Sequence, residues 1–212
     1  MQPDPNCPLC PRLATHRETL RARHPDWFNA PVPGFGDSSG WLAIVGLAPG
    51  EKGANRTGRP FTGDGAGGLL FETLREFGLV RGAYAGVAED GLELQGCHIV
   101  NAVRCLPPAN KPTPEEMRAC RPFLKDELKA MPQLQVVLAL GQIAHQSAAK
   151  ALGGKLPKLP FSHGAVHRLH TGYVLVDSYH PSRLNQNCGR LTPEMFRAAV
   201  ASAMDARNRP RV

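Results

Sequence analysis

A chain of 212 residues with 42% hydrophobic content can bury one substantial core and stands near the upper end of what a single core serves, so one domain over residues 1–212 is expected. A formal charge of +7 and a pI near 9.3 suit a polyanionic partner, because Lys and Arg gain affinity for phosphates by counterion release, although a basic soluble enzyme fits the same balance. The longest apolar run, around Val136–Leu140, is too short to span a bilayer and the N-terminus lacks the basic-then-apolar pattern of a signal peptide, so a cytoplasmic protein without a membrane partner is expected.

Residues 41–47 read as a buried strand, with Leu42, Ile44, Val45 and Leu47 running into the turn residues Pro49 and Gly50. Residues 46–67, GLAPGEKGANRTGRPFTGDGAG, form a long glycine-dense loop, and loops of that length inside a compact domain tend to be functional. A helix is predicted over 69–77, a strand over 98–103, and a helix over 114–131 whose start is marked by Thr113 and Glu116 in capping-box spacing with Pro114 at the first position. There follow a strand over 134–140, a helix over 142–152, a Gly/Pro/Lys-rich surface loop over 153–160, a strand over 173–177 and a helix over 192–207. This alternation predicts an α/β fold with a mostly parallel sheet covered on both faces. Its binding crevice lies beyond the carboxyl ends of the strands, where residues 47–64, 101–108 and 180–185 emerge together with Gly141.

Six cysteines in a reducing compartment rarely form structural disulfides. Cys7 and Cys10 make a C-x2-C pair, and Cys105 and Cys120 a wider one. Four thiolates from these distant segments would tie the N-terminal arm to the body through Zn or an iron–sulfur cluster, and the spacing accommodates either. The wide second pair is unlike a zinc ribbon, which repeats the short spacing, and leans toward the cluster. Cys97 and Cys188 read as small core or loop residues that ligate nothing.

Three stretches carry candidate chemistry. In the glycine-dense loop, neither common nucleotide-phosphate signature is present, while Phe61 offers a ring to stack on a planar ligand or, equally, an anchor for the loop itself. His180, at a strand-to-loop corner held by Pro181, is placed to donate to developing negative charge, although a lone histidine is more often structural. Asn101 at a strand end offers one acceptor and one donor, which suits the N3–H and O4 of uracil, and flipped it suits cytosine; a strand-end backbone cap is the plainer role.

Taken together, GLAPG, NRTGRPFTGD, NAVRC-PP-NKPTPEE and HPS-x-x-N followed by GRLT resemble the uracil-DNA glycosylase superfamily, specifically its family 5 or type b branch, over nearly the whole chain from Cys7 to about Arg197. Family 4 carries a glutamate where this sequence has Leu47, so that branch's general base is absent; the resemblance puts a comparable role on Asp64 of the TGD motif. It further implies a three-layer α/β/α sandwich around a four-stranded parallel sheet, a [4Fe–4S] cluster on Cys7, Cys10, Cys105 and Cys120, and a substrate range reaching hypoxanthine and other deaminated bases in DNA.

On that footing the flipped base stacks on Phe61, with Asn101 and the backbone of Leu47, Ala48, Pro49 and Gly50 along its edge. His180 stabilises the departing base anion and Asp64 the oxocarbenium-like sugar with its attacking water. Asn185 supports the His180 loop or contacts base or phosphate, and Arg56, Arg59, Ser182 and Arg183 are expected at the DNA backbone. No lysine falls at the scissile bond, which predicts a monofunctional enzyme that leaves the abasic site intact; with no oligomerisation signal in the sequence, a monomer is the default expectation. The competing expectations are a family 4-like, uracil-only enzyme and a non-catalytic DNA-binding module with a structural four-cysteine metal.

Overall fold

The structure, a computed structural model, describes residues 2–207; residue 1 and residues 208–212 of the expected domain lie outside the described residues. The elements in chain order are α1 (Pro11–Arg23), β1 (Phe35–Gly36), β2 (Leu42–Gly46), α2 (Ala54–Thr57), α3 (Gly67–Glu76), β3 (Val80–Arg81), β4 (Glu93–Leu94), β5 (Cys97–Asn101), α4 (Pro114–Lys129), β6 (Val136–Leu140), α5 (Gln142–Ala151), β7 (Val166–Arg168), β8 (Val174–Ser178), α6 (Arg183–Asn187) and α7 (Pro193–Arg207). The main sheet has the order β1-β5-β2-β6-β8-β7. Its four inner strands are parallel. The expected four-stranded sheet is therefore present as the centre of a six-stranded one, with β1 and β7 pairing antiparallel at its edges.

Every residue of β2, β5, β6 and β8 is buried, as a parallel sheet covered on both faces requires. Period-2 alternation divides them between two cores. Leu42, Ile44, Val136, Leu138, Leu140, Val174 and Val176 pack with α3 and α7, and Ala43, Val45, Val137, Ala139 and Leu175 pack with α4 and α5. The second face is built from small side chains, with Ala144, Ala148 and Ala149 of α5 against Ala43 and Ala139, so that helix lies close to the sheet. The chain is thus a three-layer α/β/α sandwich.

The capping box predicted for α4 is formed: Thr113 Oγ1 accepts from the Glu116 N–H at 3.3 Å and Glu116 Oε2 from the Thr113 N–H at 2.8 Å. Glu116 also takes a bidentate bond from Arg12, at 2.8 and 2.7 Å, which fastens α1 to α4. No helix among the described residues is long and apolar enough to cross a membrane.

Candidate active site

The loops leaving the carboxyl ends of β2, β5 and β8 enclose a cleft of about 780 Å³. Its wall includes Leu47, Ala48, Gly50, Phe61, Asp64, Asn101, His180, Ser182 and Arg183, so the sequence-predicted residues from all three stretches meet in one place. Pro49, Arg56, Arg59 and Asn185 are not on that wall.

Asn101 closes β5 opposite Gly46 of β2. It is only 3% exposed, yet its side-chain amide has no hydrogen-bond partner among the described residues. The amide faces the open cleft, where water or a ligand reaches it. Gly46 makes room for it: a Cβ there would collide with Asn101 Oδ1 and lie 2.9 Å from Phe61 Cζ. Phe61 has a φ of 55° and is 6% exposed, a backbone conformation that an aromatic residue holds only when its surroundings impose it. The imposing contacts are the Tyr84 hydroxyl, which donates to the Phe61 carbonyl at 3.1 Å and accepts from the Gly63 N–H at 3.3 Å. The Phe61 and His180 rings stack with centroids 5.6 Å apart and planes 25° apart.

His180 follows β8, and the Asn185 side chain donates to its carbonyl at 2.8 Å. Of the two roles expected for Asn185, this bond is of the kind that the loop-supporting one calls for. Burial pushes the His180 pKa below the ordinary histidine value, with the Asp64 charge opposing, so the ring is neutral at pH 7 and donates from one nitrogen. Asp64 Oδ1 accepts from the Ala66 N–H at 2.9 Å. Its other oxygen occupies space left by Gly53, where a Cβ would lie 2.5 Å from Oδ2.

Arg59 departs from its expected place at the DNA backbone. It is 5% exposed and forms a bidentate pair with Asp90, at 2.7 and 2.8 Å. Its Nε donates to Thr62 at 2.7 Å. The residue type alone suggested a phosphate contact, whereas the guanidinium is spent inside the loop on a carboxylate that shields it from solvent. Arg56 and Arg183 are exposed. The sequence reading also missed Glu51, Lys52 and Asn110 on the cleft wall and Leu184, 76% exposed beside it; a large apolar residue within the polar HPSRLN stretch was the available signal for the last.

The four cysteines singled out from spacing come together on one small cavity, with Cys7, Cys10, Cys105 and Cys120 on its wall beside Leu13, Arg17, Val103 and Arg104. No three of their sulfurs converge within 4.8 Å, whereas thiolates on a single tetrahedral Zn with 2.3 Å bonds would stand about 3.8 Å apart. Burial raises the Cys10 and Cys105 thiols to about 11, with smaller contributions from the neighbouring sulfurs, and raises Cys120 as well. Arg17 Nη1 donates to Cys105 Sγ at 3.8 Å and the Arg104 N–H to Cys120 Sγ at 3.4 Å. Arg17 Nε and Arg104 Nε and Nη1 are buried donors with no hydrogen-bond acceptor among the described residues. Cys97 is in the core, donating to the Leu79 carbonyl, and Cys188 is exposed; neither is on this cavity's wall.

Fold and site together define an α/β protein with a cleft at the carboxyl edge of a parallel sheet, lined by an aromatic ring, an amide, a carboxylate and an imidazole. Residues 33–203 match the model of the uracil DNA glycosylase superfamily. A Type-5 uracil-DNA glycosylase of Thermus thermophilus is 45% identical over 203 residues, 93% of this chain and 92% of the relative. One of the same description from Pyrobaculum aerophilum is 41% identical, covering 93% and 89%. A Type-4 uracil-DNA glycosylase of Thermotoga maritima is 34% identical over 157 residues, covering 74% and 72%. The chain belongs to the uracil DNA glycosylase superfamily and, within it, to the type-5 branch.

Proposed function

We propose that this protein excises uracil, and with it other deaminated bases such as hypoxanthine, from DNA by hydrolysing the N-glycosidic bond and leaving the abasic site intact. The observation that carries the reading is that one cleft wall brings together the Asn101 amide, the Phe61 ring, Asp64 and His180. A base flipped from the duplex stacks on Phe61 and completes the amide's missing hydrogen bonds. Because no protein partner fixes which way the amide faces, it serves more than one base edge, which favours a range wider than uracil alone. Leu184, exposed at the rim, is suited to fill the gap that the flipped base leaves in the stack.

Cleavage makes the sugar oxocarbenium-like and the base anionic. His180 donates from its neutral ring to the carbonyl oxygen that gathers the leaving electrons. Asp64 holds the attacking water on the sugar side and balances the positive charge there. Leu47, at the position where family 4 has glutamate, supports giving the carboxylate role to Asp64. Arg56, Ser182 and Arg183 hold phosphates, and the +7 charge supports binding to DNA. The enzyme is read as one domain over residues 1–212, a cytoplasmic monomer.

The cysteine cavity fits a [4Fe–4S] cluster held by Cys7, Cys10, Cys105 and Cys120. The four-thiolate donor set suits it, and the Arg17 guanidinium beside Cys105 keeps a buried N–H that would be available to an inorganic sulfide. Such a cluster supplies a cross-link between the N-terminal arm and the segment after β5, and the acid–base groups stand apart from it.

The deciding experiment follows release of free base from oligonucleotides carrying one uracil or one hypoxanthine, with wild type, Asp64→Ala and His180→Ala compared at equal iron content. Release of both bases is expected, with losses of about 100- to 1,000-fold in the His180 variant, the usual effect of removing a preorganised donor. Release of uracil alone would return the protein to a narrow specificity, and release of neither would overturn the enzymatic reading.

A further inference from the structure

Three ligating side chains outside the cleft meet at the carboxyl end of β8. Asp177 Oδ1 is 2.7 Å from His145 Nδ1 of α5, and Oδ2 is 3.1 Å from His167 Nε2 of β7. All three donor atoms lie within 4.8 Å of one another. Asp177 is fully buried and His145 is 1% exposed, and the glycosylase chemistry assigned above uses neither. Both buried residues carry outer partners of the kind that orient metal ligands: His145 Nε2 donates to the Leu159 carbonyl at 2.9 Å, and the Ser162 N–H reaches Asp177 Oδ2 at 3.4 Å. A histidine that gives one ring N–H to a carbonyl presents the other nitrogen as a fixed ligand.

We propose that His145, His167 and Asp177 bind one divalent transition ion of the Zn2+ class. Ligand atoms on a tetrahedral ion with bonds of 2.0–2.1 Å stand about 3.3–3.4 Å apart, so the nitrogen–oxygen separations of 2.7 and 3.1 Å open by roughly 0.6–0.7 Å and roughly 0.2–0.3 Å to admit it. The imidazole–carboxylate donor set suits Zn2+, a water completes the fourth position, and the partly exposed His167 gives the entry path. The ion fastens residues 159–168 to the strand that ends just before His180. That segment already reaches the His180 loop, since the Tyr179 N–H donates to His163 Nδ1 at 3.1 Å and the two rings stack 5.0 Å apart.

The test uses the full chain with its iron content measured, equilibrated with ZnCl2 and then dialysed against metal-free buffer. One Zn per chain beyond the iron is expected, with a rise in Tm on adding Zn2+ and an X-ray absorption spectrum showing nitrogen and oxygen neighbours with imidazole scattering and no sulfur. In His167→Ala, and in the milder His167→Gln, the retained Zn and the Tm response are lost while iron content and zinc-free uracil release stay at wild-type levels. Absence of retained Zn, sulfur in its coordination shell, or equal retention in folded His167 variants would each overturn the site. The absorption spectrum decides on wild type alone should the variants not fold.

Discussion

Substituting alanine for Gly46 tests the cleft geometry with a single methyl group. Gly46 pairs with Asn101 across the β2–β5 ladder. The added Cβ would lie 2.9 and 3.0 Å from Phe61 Cζ and Cε2, and closer still to Asn101 Oδ1. Carbon atoms rest about 3.5–4.0 Å apart, so ring and amide together must give by roughly 0.5–1 Å. Phe61 has little freedom to do so, being buried, held at a φ of 55° and tied through its carbonyl to Tyr84. Overpacking of this kind costs about 1–3 kcal/mol of stability, and in a protein of this size Tm falls by roughly 2–4 °C per kcal/mol. The cost to catalysis is larger, since misplacing a group by about 1 Å costs on the order of 100-fold in rate. Single-turnover release of uracil with enzyme in excess isolates the chemical step from product release. A rate near wild type in a variant that melts like wild type would refute the assignment of Asn101 and Phe61 to the base.

Arg59→Ala is expected to cost about 3–5 kcal/mol, because it strands the Asp90 carboxylate in the interior, and to leave the salt dependence of DNA binding unchanged; a phosphate contact would give the opposite pair of results. Arg183→Ala should instead leave Tm alone and lower the slope of log K against log salt by about 1, and an unchanged slope removes it from the DNA contact set. Burial alone would raise the Glu127 carboxyl, but the His98 hydrogen bond and the Arg104 charge outweigh it and hold it at about 2, below its ordinary 4.5. A depressed acid contributes stability above pH 4.5 that is lost as pH falls through 2, so denaturation midpoints should drop across that window, and less so in Glu127→Gln; parallel curves would discard the pair. Cys105→Ser and Cys120→Ser should lose iron, with Cys97→Ser as the control that keeps it, and full iron in all three would reject the ligand set.

The inner strands were legible because each is an apolar run bounded by turn residues, and α4 because its capping box is local in sequence. The carboxyl-edge rule then brought Leu47, Asn101 and His180 to one crevice before any distance was known. What escaped lacks such a signal. Helix α1 buries only Leu13, Arg17 and Leu20, too few apolar positions for a stripe, and its tie to the body is the Arg12–Glu116 bond between residues 104 positions apart. Strands β1 and β7 are two and three residues long and partly exposed. The placement of Arg59 escaped for a different reason: its partner Asp90 is 31 positions away, and no local pattern distinguishes an arginine that binds phosphate from one that binds a buried carboxylate.

That last case bears on what a long sequence motif contains. Within NRTGRPFTGD, Phe61 and Asp64 face the cleft. Asn55 turns inward, donating to buried Asn29 at 2.9 Å, and Arg59 donates to Thr62 and to Asp90. A left-handed aromatic residue costs on the order of 1–3 kcal/mol to hold, and on the cleft side its ring meets only the stacked His180 ring and the Asn101–Gly46 pair among the contacts described above. Residues 84–90, which touch no reacting atom in the mechanism above, hold it through the Tyr84 hydroxyl and the Asp90 carboxylate. The motif is therefore longer than the chemistry proposed for it: its outward residues line the cleft, and its inward ones keep Phe61 in a conformation that the isolated loop would abandon.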